Sequence, residues 1–179
     1  MKKAEALEFA ILGTLQDGPA HGYELRKRLN SVLGTLHAIS FGSLYPTLKA
    51  LCSRGEVTEQ PDETSSRRKI VYSVTERGSQ RFQSLLSNAG PEAWEDDAFG
   101  IHFAFFSRSN AETRTSILEG RRMRLAERRA LMRESLARTR EQIDAYTLEL
   151  QRHGLEGVEL EMRWLEGLIA AEEQHNSTK

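Results

Sequence analysis

The stretch Ser40 to Arg54 places Leu44, Leu48 and Leu51 on one face of a helix, with Cys52 beside them. The same wheel turns Gly42, Pro46, Lys49, Ala50 and Ser53 outward; Ser43 flanks them, and Tyr45 and Thr47 stand at opposite edges. An ordinary solvated face would carry Glu, Lys and Gln, which favour helix and solubility. Small residues instead let a helix backbone approach a bulky partner, while Ser, Thr, Tyr and Lys supply donors. That combination suits a helix lying against a DNA groove; packing on another domain through the small face is the alternative. A second basic feature, Arg67-Arg68-Lys69, closes a polar loop. At a loop tip these residues can reach phosphates or the minor groove, although three basic residues on a loop are commonly just solvated.

Other chemistry is sparse. No nucleophile-base constellation, phosphate loop or metal set is evident, so neither an enzyme nor a cofactor is expected. His21 and Glu24 could be two metal ligands, but no third is apparent. Cys52 is the single cysteine, which excludes an intrachain disulfide; its place on an apolar face reads as an inert thiol rather than a redox switch. No apolar run is long enough to span a membrane, and Glu5 and Glu8 interrupt the basic start, so a soluble cytoplasmic (nucleoid-associated) protein is expected. Residues 1–88 hold 12 Lys+Arg and 9 Asp+Glu, a net of +3, and residues 89–179 hold 13 and 17, a net of −4. The first half is the one that could face phosphates.

The elements that must position these residues follow from periodicity. Leu7, Ile11 and Leu15 stripe a first helix, Ala4 to Gln16, stopped by Asp17-Gly18-Pro19. A second helix is predicted from about Ala20 to Leu33, ended by Gly34. The third follows and Gly55 terminates it. If Ser43 caps it, Pro46 falls in the first turn at no cost; if it starts near Ser40, Pro46 kinks it. Two short strands, Glu56–Gln60 and Lys69–Val74, flank the loop Pro61 to Arg68, and Thr75 is a plausible N-cap for a fourth helix, Glu76 to about Ser87. Helix, helix, helix, hairpin, helix is the order of a winged helix-turn-helix, whose third helix enters the major groove.

Residues 89–97 read as a linker and 98–175 as a helical dimerisation domain, with a disordered tail at 176–179. One long helix is predicted from about Asn110 to His153, broken by Gly154, then a last helix from about Leu155 to Gln174. Leu118, Leu125 and Met132 recur every seven residues, as do Leu136, Ile143 and Leu150, giving a heptad seam that must be buried; with Trp164 and Leu168 it forms the expected dimer contact. The arginines from Arg121 to Arg129 could be a second nucleic-acid surface, but Glu119, Glu127 and Glu134 are interleaved and a solvated face fits better. Trp94, Phe99, Phe103, Phe106, Tyr146 and Trp164 could line a pocket for a small aromatic effector, or simply be core.

Three ordered blocks then carry a resemblance. Ile11-Leu12-Gly13 with Gly18-Pro19-Ala20-His21-Gly22-Tyr23-Glu24-Leu25, Gly42 through Leu51, and Arg68 through Gly78 resemble the signatures of the PadR (phenolic-acid regulator) family over about residues 5–80. The C-terminal half resembles, more loosely, the longer virulence-activator-like domain of one subgroup. The resemblance implies a homodimer on a palindromic double-stranded operator, usually as a repressor, with a small-molecule effector whose identity is open. It implies that Ser43, Tyr45, Pro46 and Lys49 contact DNA, that the wing residues Arg67, Arg68 and Lys69 touch the backbone, and that Tyr23 can approach phosphates. Thr47 joins this set from the helical wheel. The rival reading is a protein-interaction adaptor that keeps the fold without binding DNA.

Overall fold

The computed structural model describes residues 3–34, 41–62, 69–139 and 143–177. The order is α1 (Lys3–Leu15), β1 (Ala20–His21), α2 (Gly22–Leu33), α3 (Phe41–Ser53), β2 (Val57–Pro61), β3 (Ile70–Val74), α4 (Glu76–Leu86), α5 (Pro91–Trp94), α6 (Asp96–Ala104), a 3-10 turn (Phe106–Arg108), α7 (Ala111–Thr139) and α8 (Ala145–Ser177). The chain divides into two units: residues 1–88 with 95–109, and residues 89–94 with 110–179.

In the first unit, α1 is the hub. Phe9, Ala10, Ile11 and Leu12 are fully buried, and Leu25, Leu29, Leu44, Leu48, Leu51 and Phe82 from α2, α3 and α4 close around them. The fold class is the expected one, mainly helical with a winged helix-turn-helix. The sheet has three strands rather than two, in the order β1-β3-β2, all antiparallel. Ala20 and His21, expected to open the second helix, instead pair with Tyr72 and Val71. Two residues after a Gly-Pro turn carry no strand signal of their own; only the neighbouring β3 makes them one. The wing is in register from Val57 opposite Val74 to Pro61 opposite Ile70, and Asp62 N donates to Lys69 O at 2.8 Å to extend it.

The base of the wing is locked twice. Glu8, Arg54, Glu56 and Arg81 bring α1, the end of α3, the start of β2 and α4 into one ionic cluster, with Arg54 Nη2 2.9 Å from Glu8 Oε1 and Arg54 Nε 3.0 Å from Glu56 Oε2. Glu56 is 4% exposed, so its charge needs these partners. Burial works against the Arg54 charge, and its hydrogen bonds to Glu56 and Glu8 outweigh that, so its pKa is raised. Thr75 supplies the second lock: its Oγ1 accepts from Gly78 N at 3.1 Å as the N-cap of α4 and donates to Gly55 O at 2.7 Å. Thr75→Ala removes both bonds and should lower stability by about 1.5 kcal/mol. Thr75→Ser, which keeps both, should not, and equal losses in urea denaturation of the two variants would refute this account.

The apolar run from Ala98, expected to open the C-terminal helical domain, packs instead with the first unit. Ala98, Phe99, Ile101 and Phe105 are buried within the first unit, where the Phe105 ring lies 5.5 Å from Phe9, tilted, and 5.5 Å from Phe82, edge to face. Burial of this apolar run draws 95–109 back to the winged helix, while residues 89–94 belong with the C-terminal helices.

The second unit is an antiparallel pair, α7 and α8, with α5 against α7. The single long helix predicted to reach His153 ends at Thr139, and α8 begins at Ala145. Asp144 caps the new start, its Oδ1 accepting from Tyr146 N at 2.9 Å and Thr147 N at 3.1 Å. Gly154 does not break the chain but lies inside α8, where a Cβ would stand 3.1 Å from Met132 Cε: it marks close helix approach, not a stop. The heptad seam is therefore folded back on itself. Leu118 and Leu125, at 1% exposure, face Val158, Met162, Leu165 and Ile169 as the core of the unit, not a partner. Met132, Leu136, Ile143 and Leu168 are half-buried, and Leu150 and Trp164 are exposed. Arg121 is buried, donating to Glu161 Oε1 at 2.8 Å and Trp94 O at 2.9 Å, so it serves the packing of this unit rather than a nucleic-acid surface.

Candidate nucleic-acid interface

Helix α3 runs from Phe41 to Ser53, which puts Pro46 inside it. Its missing amide leaves one turn without its usual bond, and Thr47 Oγ1 donates to Ser43 O at 2.8 Å on the same side. Leu44, Leu48 and Leu51 are buried, so the wheel is fixed as read: Gly42, Ser43, Tyr45, Pro46, Lys49 and Ser53 are exposed. Thr47 is half-buried and its hydroxyl proton is engaged within the helix, which leaves it the poorest donor of the set.

Gly22 at the start of α2 lets Tyr45 pack flush; a Cβ there would sit 2.7 Å from Tyr45 Oη. This close contact sets α2 and α3 as a helix-turn-helix. Around it runs a groove of about 610 Å3, bordered by His21, Tyr23, Glu24, Tyr45, Lys69, Ile70 and Tyr72. Tyr23 is 71% exposed, Tyr45 46% and Lys69 is exposed, so two phenols and an ammonium from α2, α3 and the wing share one opening. Arg67 and Arg68 lie outside the described residues. Burial, then the charge of Glu59, pushes the Tyr72 phenol up and keeps it neutral.

Sequence reasoning missed the role of His21. Its Nε2 lies 3.2 Å from Asp62 Oδ2 and its Nδ1 3.1 Å from Ile70 O, tying β1 to the root of the wing. Glu24 pairs with Arg28, so the His21–Glu24 pair is not arranged around a common metal, and no cluster of three metal-ligating side chains occurs among the described residues. Burial, and then Glu59, pushes the Cys52 thiol up, which keeps it protonated and poorly nucleophilic.

The six aromatic residues expected at a pocket are divided between the units. In the first, Phe99 stacks on Phe103 with centroids 6.0 Å apart, and Phe103 meets Phe106 at a tilt, 5.1 Å apart. Trp94, Tyr146 and Trp164 belong to the second, where Tyr146 is 90% exposed. Among the described residues no helix is long and apolar enough to cross a membrane.

Residues 11–84 match the transcriptional regulator PadR-like family. The chain is 29% identical over 86 residues to the negative transcriptional regulator PadR of Bacillus subtilis; the match covers 48% of this chain and about half, 47%, of that relative. Among solved structures it is similar to Bacillus subtilis PadR in complex with operator DNA, at 21% identity and a TM-score of 0.45 over 93% of this chain and 98% of that one. The same regulator in complex with p-coumaric acid matches at 21% identity and a TM-score of 0.43, over 97% and 98% of the two chains.

Proposed function

We propose that the chain, whose residues 11–84 match the transcriptional regulator PadR-like family, is a homodimeric repressor that binds a palindromic operator through α3 and its wing. One observation carries the reading. The buried leucines of α3 aim a face of small and donor residues outward, and Tyr45 of that face shares an opening with Tyr23 and Lys69. Gly42 and Ser43 allow the helix backbone close to base edges; Tyr45 and Lys49 supply contacts to bases or phosphates. One winged helix reads few base pairs, so two-fold pairing is needed to reach operator affinity. The support for pairing is a stripe on the outer side of α8, opposite Val158, Met162 and Leu165. It comprises Tyr146, Leu150, Leu160 and Trp164, exposed by 90, 71, 63 and 44%. A monomer rarely leaves such a stripe to water. Repression as the sign of control is supported by the description of the Bacillus subtilis relative as a negative regulator.

The test is retardation of genomic fragments recovered with the protein. Lys49→Ala should weaken binding about tenfold and reduce the slope of log K against log salt by about 0.9. Tyr45→Ala should weaken specific binding at least as much while circular dichroism stays unchanged. Unaltered affinity in both variants would remove α3 as the reading helix. Failure to retain any fragment at low salt, with self-association intact, would favour the adaptor reading.

A further inference from the structure

We propose that His21 is a positioning residue for operator binding: a proton held between its ring and Asp62 clamps the wing against the helix-turn-helix. The clamp itself is a property of the first unit. Its consequence for the operator rests on the function proposed above.

The ring sits where three parts of that unit meet. His21 pairs with Val71 through β1, and Gly22, the next residue, opens α2 and seats Tyr45 of α3. From there Nδ1 lies 3.1 Å from Ile70 O, at the start of β3, and Nε2 lies 3.2 Å from Asp62 Oδ2, just past the end of β2. One imidazole thus grips both legs of the hairpin. Asp62 N donates to Lys69 O at 2.8 Å at the same level, and Lys69 borders the opening with Tyr23 and Tyr45. The grip therefore sets where Lys69 stands relative to Tyr45.

Both contacts are with acceptors. A carbonyl and an ionised carboxylate only accept, whereas a neutral imidazole has a single N–H. If Nδ1 donates to Ile70 O, the Nε2 lone pair faces a carboxylate; if Nε2 donates to Asp62, the Nδ1 lone pair faces a carbonyl. A second ring proton removes the conflict and makes the Asp62 bond charge-assisted. A proton on the Asp62 carboxyl instead would satisfy the same two contacts, so the clamp holds one extra proton on either assignment. Losing it costs one of the two grips.

The surroundings leave Asp62 as the deciding charge. Glu24 borders the same opening, but its carboxylate pairs with Arg28. Lys69 and the N-terminus of α2 oppose a positive ring, and Tyr23, Tyr45 and Tyr72 bring hydroxyls. The Asp62 carboxylate is the charge in direct contact, and its side chain is only 15% exposed. The His21 side chain keeps 31% of its surface open, so the proton exchanges with solvent.

The experiment compares the full chain with His21→Gln and Asp62→Asn between about pH 6 and 8.5 at constant salt, where histidine is the side chain that titrates. His102 stays neutral in the folded chain across this range, its pKa lowered to about 4. Gln does not ionise there, and Asn can turn its amide toward either form of the ring. Without DNA, the hydrogen-exchange protection factor of the amide at position 62 should fall about tenfold with rising pH in the parent and stay level in both variants. With genomic fragments recovered with the protein, the parent should bind about tenfold more weakly at the upper pH, beyond any slope shared with the variants. Circular dichroism checks that each variant folds, and Asp62→Asn decides alone if His21→Gln does not. A parent protection factor that ignores pH overturns the proposal, as does a parental slope that persists in either variant. Persistence in Asp62→Asn alone would mean that the ring meets phosphate directly and does not act through the wing. If no fragment is retained at any pH, the operator reading fails and the exchange measurement still decides the clamp. If fragments are retained and protection is flat, the clamp fails alone.

Discussion

Replacing Gly78 by Ala should destabilise the winged-helix unit by about 4 kcal/mol or more, among the largest effects of a single added methyl group. Helix propensity alone argues the other way. Gly78 lies in the first turn of α4, and Ala there should favour the helix by up to about 1 kcal/mol. The structure reverses the sign. A Cβ at Gly78 would lie 2.0 Å from Glu56 O and 2.9 Å from Val74 Cγ2. The obstructing atom is a backbone carbonyl, and it cannot turn aside: it accepts from Thr75 N at 3.1 Å, and the Glu56 side chain is held by Arg54 and Arg81. Relief would require α4 to lift from the wing, breaking the Thr75 cap and the ionic cluster together. Gly157 and Gly167 provide the comparison, because both lie within α8 with nothing within 4 Å of an added Cβ. Ala at either should stabilise by about 0.5–1 kcal/mol. Urea denaturation of the three variants should therefore give opposite signs; a neutral or stabilised Gly78→Ala would show that the Glu56 carbonyl can give way.

The second large effect is acid destabilisation through His102. This residue is 3% exposed, its ring 4.9 Å from that of Phe9, and its Nδ1 is buried without a hydrogen-bond partner among the described residues. Burial among aromatic rings disfavours the imidazolium and lowers the pKa from 6.5 to about 4. The sign follows from linkage. Above about 6.5 both states hold His102 neutral and its contribution is complete. As pH falls below 6.5 the unfolded chain takes up a proton that the folded chain refuses, and stability falls by up to about 1.4 kcal/mol per pH unit. The loss reaches roughly 3 kcal/mol near pH 4 and then levels off. His102→Leu, similar in size and unable to ionise, should flatten the stability curve between pH 7 and 4 by that amount. Parallel curves for parent and variant would mean that His102 is protonated in place or already solvated.

These two sites also show where local reading ends. The Arg77-Gly78 pair is visible in the chain, but the reason for the glycine is a carbonyl more than twenty residues away in sequence. His102 sits in an apolar run whose burial was expected; that it packs on α1 of the winged helix, rather than within a separate helical domain, depends on Phe9 and Phe82. Tyr45 and Lys49 were legible as outward-facing because the helical period and three leucines orient α3 without help from the rest of the molecule. Thr47 was read as a donor from the same wheel, yet a local bond to Ser43 O engages its hydroxyl proton. The tie from His21 to Asp62 and Ile70 had no local signal at all, since it joins segments about forty and fifty residues apart.

By itself the sequence determined the three helices, hairpin and fourth helix of the first unit, the capping role of Thr75 and the outward face of α3. Each rests on periodicity, turn residues or capping, which act over a few neighbouring positions. Tertiary structure alone decided the third strand, the return of residues 95–109 to the winged helix, and the fate of the heptad seam. That seam could be satisfied by a second subunit or by the chain's own next helix, and the pattern is the same in either case. The capped turn at Asp144 and the close approach at Gly154 chose the second course for Leu118 and Leu125. The other side of α8 keeps Leu160 and Trp164 exposed, a feature no periodicity in the sequence separates from the buried seam.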